Sequence, residues 1–229
     1  MEAVTAPLWE RPGLRHAAGD TLRPGGFELT DRAAEFIGLT PGVRVLDVGS
    51  GLGATVARLR ARYGADAWGV EPSCVQVERA FGPAHLIRGQ GDVLPFRSNV
   101  FQAVFCECVL SLLPNPAAGL AEFGRVLASS GYLVLTDLCQ REGGRCGCGT
   151  AASTVTGGAS CADRAVPVAD TLELVAEHGF DVVLVEDHDR YLRDLAARLI
   201  LAGEPAAACG RGLGYYLLIA RKRGENRAG

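Results

Sequence analysis

Glycines at alternate positions mark the stretch of this sequence best suited to holding a small ligand. Gly49, Gly51 and Gly53 follow an apolar run in "VRVLDVGSGLGATVARL", residues 43–59, and Asp47 stands just before them. Such a turn lets the backbone approach a ligand closely, and the helical pattern behind it offers free N–H groups. The stretch predicts a ligand-binding turn with a negative charge beside it.

Two more acids follow the next predicted strands. Glu71 ends "DAWGVE", and Asp92 in "QGDVLPF" follows "AHLIRG". The C-terminal ends of parallel strands meet at one edge of a sheet, where a carboxylate after the second strand bonds ribose hydroxyls. Any one of these acids is equally consistent with a turn cap or an exposed loop. Asp47, Glu71 and Asp92 together indicate a nucleoside site.

The charge and spacing of the glycine turn argue against a dinucleotide. A pyrophosphate favours backbone N–H groups with no anion nearby, and its usual turn is G-x-G-x-x-G. This turn is G-x-G-x-G, Asp47 precedes it, and no arginine or lysine occurs between Asp47 and Arg58. A nucleoside that carries an amino-acid tail fits better, because Asp47 suits a cationic group.

The elements that must position these residues alternate between apolar runs and helical patterns, which predicts a doubly wound α/β fold with a mostly parallel sheet and helices on both faces. Strands are expected at 43–49, 66–71, 84–89, 102–107 and 132–138, and helices at 54–64, 73–82 and 116–131. A helix at 168–179, a strand at 181–187, a helix at 190–203 and a strand at 214–222 follow. We expect one domain over 1–229, divided into an N-terminal helix segment (1–40), a ligand-binding core (41–138), a Cys/Gly-rich loop (139–165) and a C-terminal part (166–229).

Composition favours a small-molecule partner. The formal net charge is -3, with 23 basic and 26 acidic residues, so neither nucleic acid nor an anionic membrane is expected as a partner. No apolar run reaches the roughly 18 residues of a membrane span, and the N-terminus lacks a secretory pattern. We expect a cytoplasmic protein with reduced thiols; the sequence does not predict an oligomeric state.

The segments "VLDVGSGLG", "GVEPS", "GDVLPF", "FCECVLSLLPN" and "RVLASSGYLVLTDL" resemble, in order and spacing, the motifs of class I S-adenosylmethionine-dependent methyltransferases. The resemblance covers about residues 43–138. It implies a Rossmann-like sheet of seven strands with an antiparallel last strand, S-adenosylmethionine as cofactor, and methyl transfer to a small molecule. By the same analogy, residues 1–40 form part of a lid.

The resemblance also implies roles for particular residues. Asp47 would lie near the ammonium group of the cofactor, Glu71 at its ribose, and Cys106 with Glu107 at the exit of the methyl group. The implied cofactor-binding set is Asp47, Gly49, Ser50, Gly51, Gly53, Glu71, Pro72, Asp92, Val93 and Cys106. Glu107 is the nearest candidate for a general base. Ser111 and Leu112 stand where small-molecule relatives often carry histidines, which argues against an oxygen or carbon acceptor that needs a base.

The cysteines leave the acceptor open. Cys106 and Cys108 are expected on one face of a strand end, and Cys146 with Cys148 falls in "GGRCGCG" between Cys139 and Cys161. Relatives that methylate arsenite bind it through thiolates, so arsenite or a thiol is an alternative acceptor. Buried thiols acting as small apolar residues are favoured over that alternative, and a zinc site of two C-x-C pairs is less favoured than either.

Two other functions stay open at this point. A non-catalytic accessory or sensor protein would keep the same nucleoside site, and nothing in the sequence argues against it. A nucleotide-dependent oxidoreductase would also use a glycine turn, but Asp47 argues against a pyrophosphate there.

Overall fold

The structure is a computed structural model, and it describes residues 8–10, 12–80, 85–141, 161–203 and 212–224. The strands are β1 (Arg44–Val48), β2 (Asp66–Glu71), β3 (Leu86–Arg88), β4 (Phe101–Glu107), β5 (Leu127–Gln140), β6 (Val166–Pro167), β7 (Phe180–Asp187) and β8 (Leu213–Lys222). The helices are α1 (Pro12–Ala18), α2 (Glu28–Phe36), α3 (Ala54–Tyr63), α4 (Cys74–Glu78), α5 (Pro116–Val126), α6 (Val168–Glu177) and α7 (Asp189–Leu201).

The strands form one sheet in the order β3-β2-β1-β4-β5-β8-β7. Strands β1 to β5 pair in parallel, and β8 is antiparallel to both β5 and β7. The predicted doubly wound sheet of seven strands is confirmed, and the two-residue β6 adds to it by pairing with the end of β5. Strand order reverses between β1 and β4, which is where such sheets open a ligand crevice.

Both faces of the central strands are buried, which explains why the sequence reads there as continuous apolar runs. Leu46 and Val104 pack on one face, in the cluster that includes Phe123 of α5. Val45 and Phe105 pack on the other face. Successive strand residues therefore belong to opposite clusters, as the pleat requires.

Two predicted helices are shorter in the structure. The helix that starts at Pro116 ends at Val126, and Leu127 already pairs with Phe101 of β4. A register shift follows between Phe101 and Ala103, and Ser130 has a φ of 62°. Pairing with β4 thus overrides the helical pattern of residues 127–131. Helix α4 ends at Glu78, and residues 81–84 lie outside the described part.

The N-terminal segment returns to the C-terminal end of the sheet through α1, which packs on α7. Leu14 and Ala17 of α1 form a separate apolar cluster with Leu195 and Leu199 of α7. This helix pair stands over the crevice. In the described ranges, no helix is long and apolar enough to cross a membrane.

Candidate functional site

A cavity of about 750 Å³ opens at the C-terminal ends of β1, β2 and β4. Its lining includes most of the predicted site: Asp47, Gly49, Ser50, Gly51, Glu71, Pro72, Asp92 and Glu107. The volume is within the range of small-molecule sites. The crevice predicted from strand order is therefore present and lined by the predicted acids.

The glycine turn is held against β2. The backbone N–H groups of Gly49 and Ser50 donate to the Val70 carbonyl at 2.8 and 3.1 Å. Gly49 has a φ of 71°, and a Cβ built on it would overlap the Val109 side chain. Gly53 does not line the cavity; it precedes α3 with a φ of 79°, where a Cβ would touch Leu86.

Glu71 connects the glycine turn to the start of α4. Its Oε2 accepts the Gly51 N–H at 2.9 Å, and its Oε1 accepts the Ser73 N–H at 2.9 Å. Burial raises the pKa of this carboxyl, and the two N–H donors oppose that rise. Because each oxygen can accept a second hydrogen bond, the carboxylate can still take ligand hydroxyls.

Asp47 is the most desolvated acid at the cavity. It is 3% exposed, and burial followed by repulsion from Glu107 raises its pKa well above the usual range, while Arg23 opposes the rise. A buried carboxylate of this kind gains free energy when a cationic group binds beside it. The site is thus electrostatically suited to an ammonium or a sulfonium.

Glu107 is at the cavity, but its carboxylate is already engaged. Arg23 Nη2 lies 2.8 Å from Oε2, and the hydroxyls of Thr30 and Thr55 donate to the same carboxylate at 3.0 and 3.1 Å. Both carboxylate oxygens of Glu107 are therefore occupied by partners within the protein. Sequence reasoning missed the pairing with Arg23, and no local signal indicates it, because the two residues are distant in the chain.

Arg23 has one donor left over. It is 6% exposed, its Nη2 serves Thr30 and Glu107, and its Nε has no hydrogen-bond partner among the described residues. Burial alone would lower its pKa, and the Glu107 carboxylate raises the pKa above its ordinary value. Arg23 is therefore a charged, ion-paired side chain in the cavity wall.

Asp92 also lines the cavity, and its buried Oδ1 lacks a hydrogen-bond partner in the described part of the chain. An unpartnered acceptor of this kind suits an N–H of a ligand. Val93 is 73% exposed and lies outside the lining. Cys106 is fully buried in an apolar cluster and is also outside it, because its side chain alternates away from that of Glu107 along β4.

The expectation that Cys106 and Cys108 share a face is wrong. Cys106 packs in the cluster of Leu46 and Val104, whereas Cys108, with a φ of 58°, packs against the opposite cluster. Cys108 and Cys161 both line the cavity. Cys146 and Cys148 lie outside the described residues.

Both cavity thiols are held in the neutral form. Burial raises the pKa of Cys108 well above its ordinary value and that of Cys161 to about 12. The described residues contain no group of three or more His, Cys, Asp or Glu that could hold a metal. The zinc alternative thus has no support in the described ranges.

The other end of the cavity is apolar, which the sequence pattern did not single out. Side chains of α1, α7 and the ends of β5 and β8 line it. They include Leu14, Leu138, Leu192, Leu195, Ala196, Leu199 and Leu213. The spacing of the α7 residues indicates a buried helix face, but no local signal distinguishes a face packed on core from one that borders a cavity.

Among known proteins, residues 46–135 match a family model described as a methyltransferase domain. A phosphoethanolamine N-methyltransferase of Plasmodium falciparum is 31% identical over 130 residues, or 53% of this chain and 48% of that protein. The chain spans about half the length of the first curated relatives it matches.

Solved structures share the fold over most of the chain. The (4+2) cyclase SpnF has a TM-score of 0.72 at 25% identity and covers 95% of this chain and 86% of its own. Phosphoethanolamine N-methyltransferase 2 of Haemonchus contortus, in complex with S-adenosyl-L-methionine, has a TM-score of 0.75 over 92% of this chain and 56% of its own. Its 16% identity shows likeness of fold alone.

Proposed function

We propose that this chain is a class I methyltransferase that transfers a methyl group from S-adenosylmethionine to a small-molecule acceptor, as the match of residues 46–135 to a methyltransferase domain suggests. The observation that carries the proposal is the acidic end of the cavity. Buried Asp47 and Glu71 flank a glycine turn, and Glu71 is fixed by the N–H groups of Gly51 and Ser73.

The chemistry of the residues supports this ligand rather than a pyrophosphate. Glu71 would take the two ribose hydroxyls, Asp47 the ammonium group, and Asp92 an adenine N–H through its unpartnered oxygen. Two cations are present among the described lining residues. Arg23 is paired with Glu107, and Arg88 is the register partner of Glu71 on the neighbouring strand β3. A pyrophosphate would meet two buried acids and no free cation at the turn.

When bound, S-adenosylmethionine supplies a methyl carbon activated by a positively charged sulfur, which an acceptor attacks in line. The protein aligns the two groups, a contribution worth roughly 7–11 kcal/mol, and excludes water. Glu107 is a poor general base in this arrangement because Arg23 and two threonine hydroxyls occupy its oxygens.

Calorimetric titration tests the proposal. We expect S-adenosylmethionine and S-adenosylhomocysteine to bind and NAD not to bind. Glu71→Gln should weaken binding of both by about 10- to 100-fold, since a hydrogen bond to a charged group contributes about 1.5–3 kcal/mol. Glu78→Gln, on the exposed side of α4, is the matched control and should bind as the native protein does. Binding of NAD without the other two ligands would overturn the proposal.

A soft acceptor is a second candidate, favoured by the presence of Cys108 and Cys161 in one cavity. Two thiols can lose their protons to a thiophilic centre such as arsenite. Arsenite should then raise the formation of S-adenosylhomocysteine, Cys108→Ser or Cys161→Ser should abolish the rise, and Cys139→Ser, outside the lining, should retain it. A rate independent of arsenite, or unchanged in both cavity variants, would eliminate this candidate.

A further inference from the structure

We infer that the apolar end of the cavity is an acceptor chamber that takes a molecule with an aliphatic body and one neutral hydrogen-bonding head. This inference rests on the proposed function, because it assigns the space beyond the cofactor end to the acceptor. It goes beyond that function by naming the class of acceptor.

The chamber wall is aliphatic on several sides. Leu192 and Leu195 of α7, Leu138 at the end of β5 and Leu213 at the start of β8 all line it. Such surface contributes no specific polar contact, and each buried methylene of a ligand would strengthen binding about fourfold. The wall thus favours an aliphatic body over a compact polar molecule.

The pairing of α1 with α7 covers part of the chamber. Leu14, Leu195 and Leu199 pack on one another and are 5%, 6% and 7% exposed, yet each borders the cavity. Their free sides therefore border the cavity. An apolar space of this kind is filled more favourably by an apolar ligand than by water.

The charges at the chamber are already compensated. Arg23 is paired with Glu107, and Asp20 is paired with Arg15 at 3.0 Å. The other arginine among the described lining residues, Arg88, lies at the cofactor end beside Glu71. A phosphate, a carboxylate or an ammonium group entering the chamber would lose hydration, and the described residues of the chamber offer it no unpaired counter-charge.

One donor remains for the head of the acceptor. The Arg23 Nε–H is buried and unpartnered among the described residues. Arg23 lines the same cavity as Asp47 and Cys108. A carbonyl, hydroxyl or ether oxygen would satisfy this donor, and its placement would hold the aliphatic body along α7.

A set of probes that share one alkyl chain tests the inference. Decanol, decanoate and decylammonium are titrated calorimetrically into the full chain saturated with S-adenosylhomocysteine. Decanol should bind at least about tenfold more tightly than either charged probe, and hexanol, with four methylenes fewer, about 250-fold more weakly than decanol. Equal or tighter binding of a charged probe would overturn the inference.

Variants of α7 locate the binding. Ala196→Trp should fill the chamber and weaken decanol binding at least about tenfold while S-adenosylhomocysteine binds as before. Leu201→Trp, at a position on the same helix that is 87% exposed, is the matched control and should change neither. Ala196→Leu serves as a milder variant if the tryptophan unfolds the protein. Unchanged decanol binding in a folded Ala196 variant would overturn the inference.

Failure of the proposed function and failure of the acceptor chamber give different titration results. If S-adenosylhomocysteine does not bind, the function fails, and decanol is then titrated into the unliganded chain. Decanol binding that is lost in Ala196→Trp but kept in the native chain and in Leu201→Trp would still support an apolar chamber. Absence of decanol binding to the native chain would overturn it.

Discussion

Removing Arg23 should destabilise the protein far more than removing an exposed arginine with the same kind of partner. In Arg23→Met, the Glu107 carboxylate keeps its hydrogen bonds from Thr30 and Thr55 but loses its counter-charge. The buried Asp47 carboxyl, which repels Glu107, adds to the cost. The side chains of Arg23 and Glu107 are only 6% and 2% exposed, so solvent screens the remaining charge poorly.

The magnitude follows from burial. Removing one member of a buried ion pair costs about 3–5 kcal/mol, because the remaining charge is left uncompensated. The exposed pair of Arg32 and Glu186 has a similar separation, 2.7 Å, but side-chain exposures of 44% and 26%. Arg32→Met should cost at most about 1 kcal/mol.

Urea unfolding of the single and double variants measures this difference. Combining Arg23→Met with Glu107→Gln should recover most of the loss, giving a coupling energy of about 3 kcal/mol, whereas the Arg32 and Glu186 cycle should couple by less than about 1 kcal/mol. Similar coupling energies in the two cycles would refute the buried pairing. In that case Glu107 would be free to act as a base.

Three further results are expected. Burial raises the pKa of Asp47, and a cationic ligand favours its ionised form, so calorimetric affinity for S-adenosylmethionine should fall as the pH is lowered. Asp47→Asn should bind weakly with little pH dependence. Burial raises the pKa of Asp137 from 3.8 to about 6. Between these two pH values the folded state holds a proton on Asp137 that the unfolded state has lost, so the free energy of unfolding falls as the pH rises from about 4 to about 6. Asp137→Asn should remove this pH dependence, which amounts to about 3 kcal/mol in urea unfolding between about pH 4 and about pH 6. An unchanged pH dependence in the variant would contradict the raised pKa of Asp137. Gly49→Ala should destabilise the protein by about 1–3 kcal/mol more than Gly42→Ala. Both glycines have a positive φ, but of the two only Gly49 has a side chain, that of Val109, in the space that a Cβ would occupy. Equal melting temperatures of the two variants would contradict this prediction.

The sheet was predictable from the sequence because its strands are buried on both faces and its helices have regular apolar spacing. Asp47 and Glu71 were found for a related reason: each ends a parallel strand, and the ends of such strands meet. The boundary at Leu127 was missed because pairing with Phe101, a contact between distant residues, overrides a local helical pattern.

The arrangement of the side chains around the cavity, other than Asp47 and Glu71, was harder to predict. The pairing of Arg23 with Glu107 depends on the path by which the N-terminal segment returns to the sheet. The positions of Cys106 and Cys108 depend on a left-handed residue at the end of β4, which moves their side chains to opposite clusters. Neither feature has a local sequence signal.

The most direct test of the account is a crystal structure of the full chain with S-adenosylhomocysteine, in which the distances from the Glu71 carboxylate to the ribose hydroxyls are measured. The account predicts both hydroxyls within about 3 Å of Glu71, the ammonium group beside Asp47, and the sulfur facing the Leu195 end of the cavity. A ligand bound elsewhere, or a ribose turned away from Glu71, would contradict it.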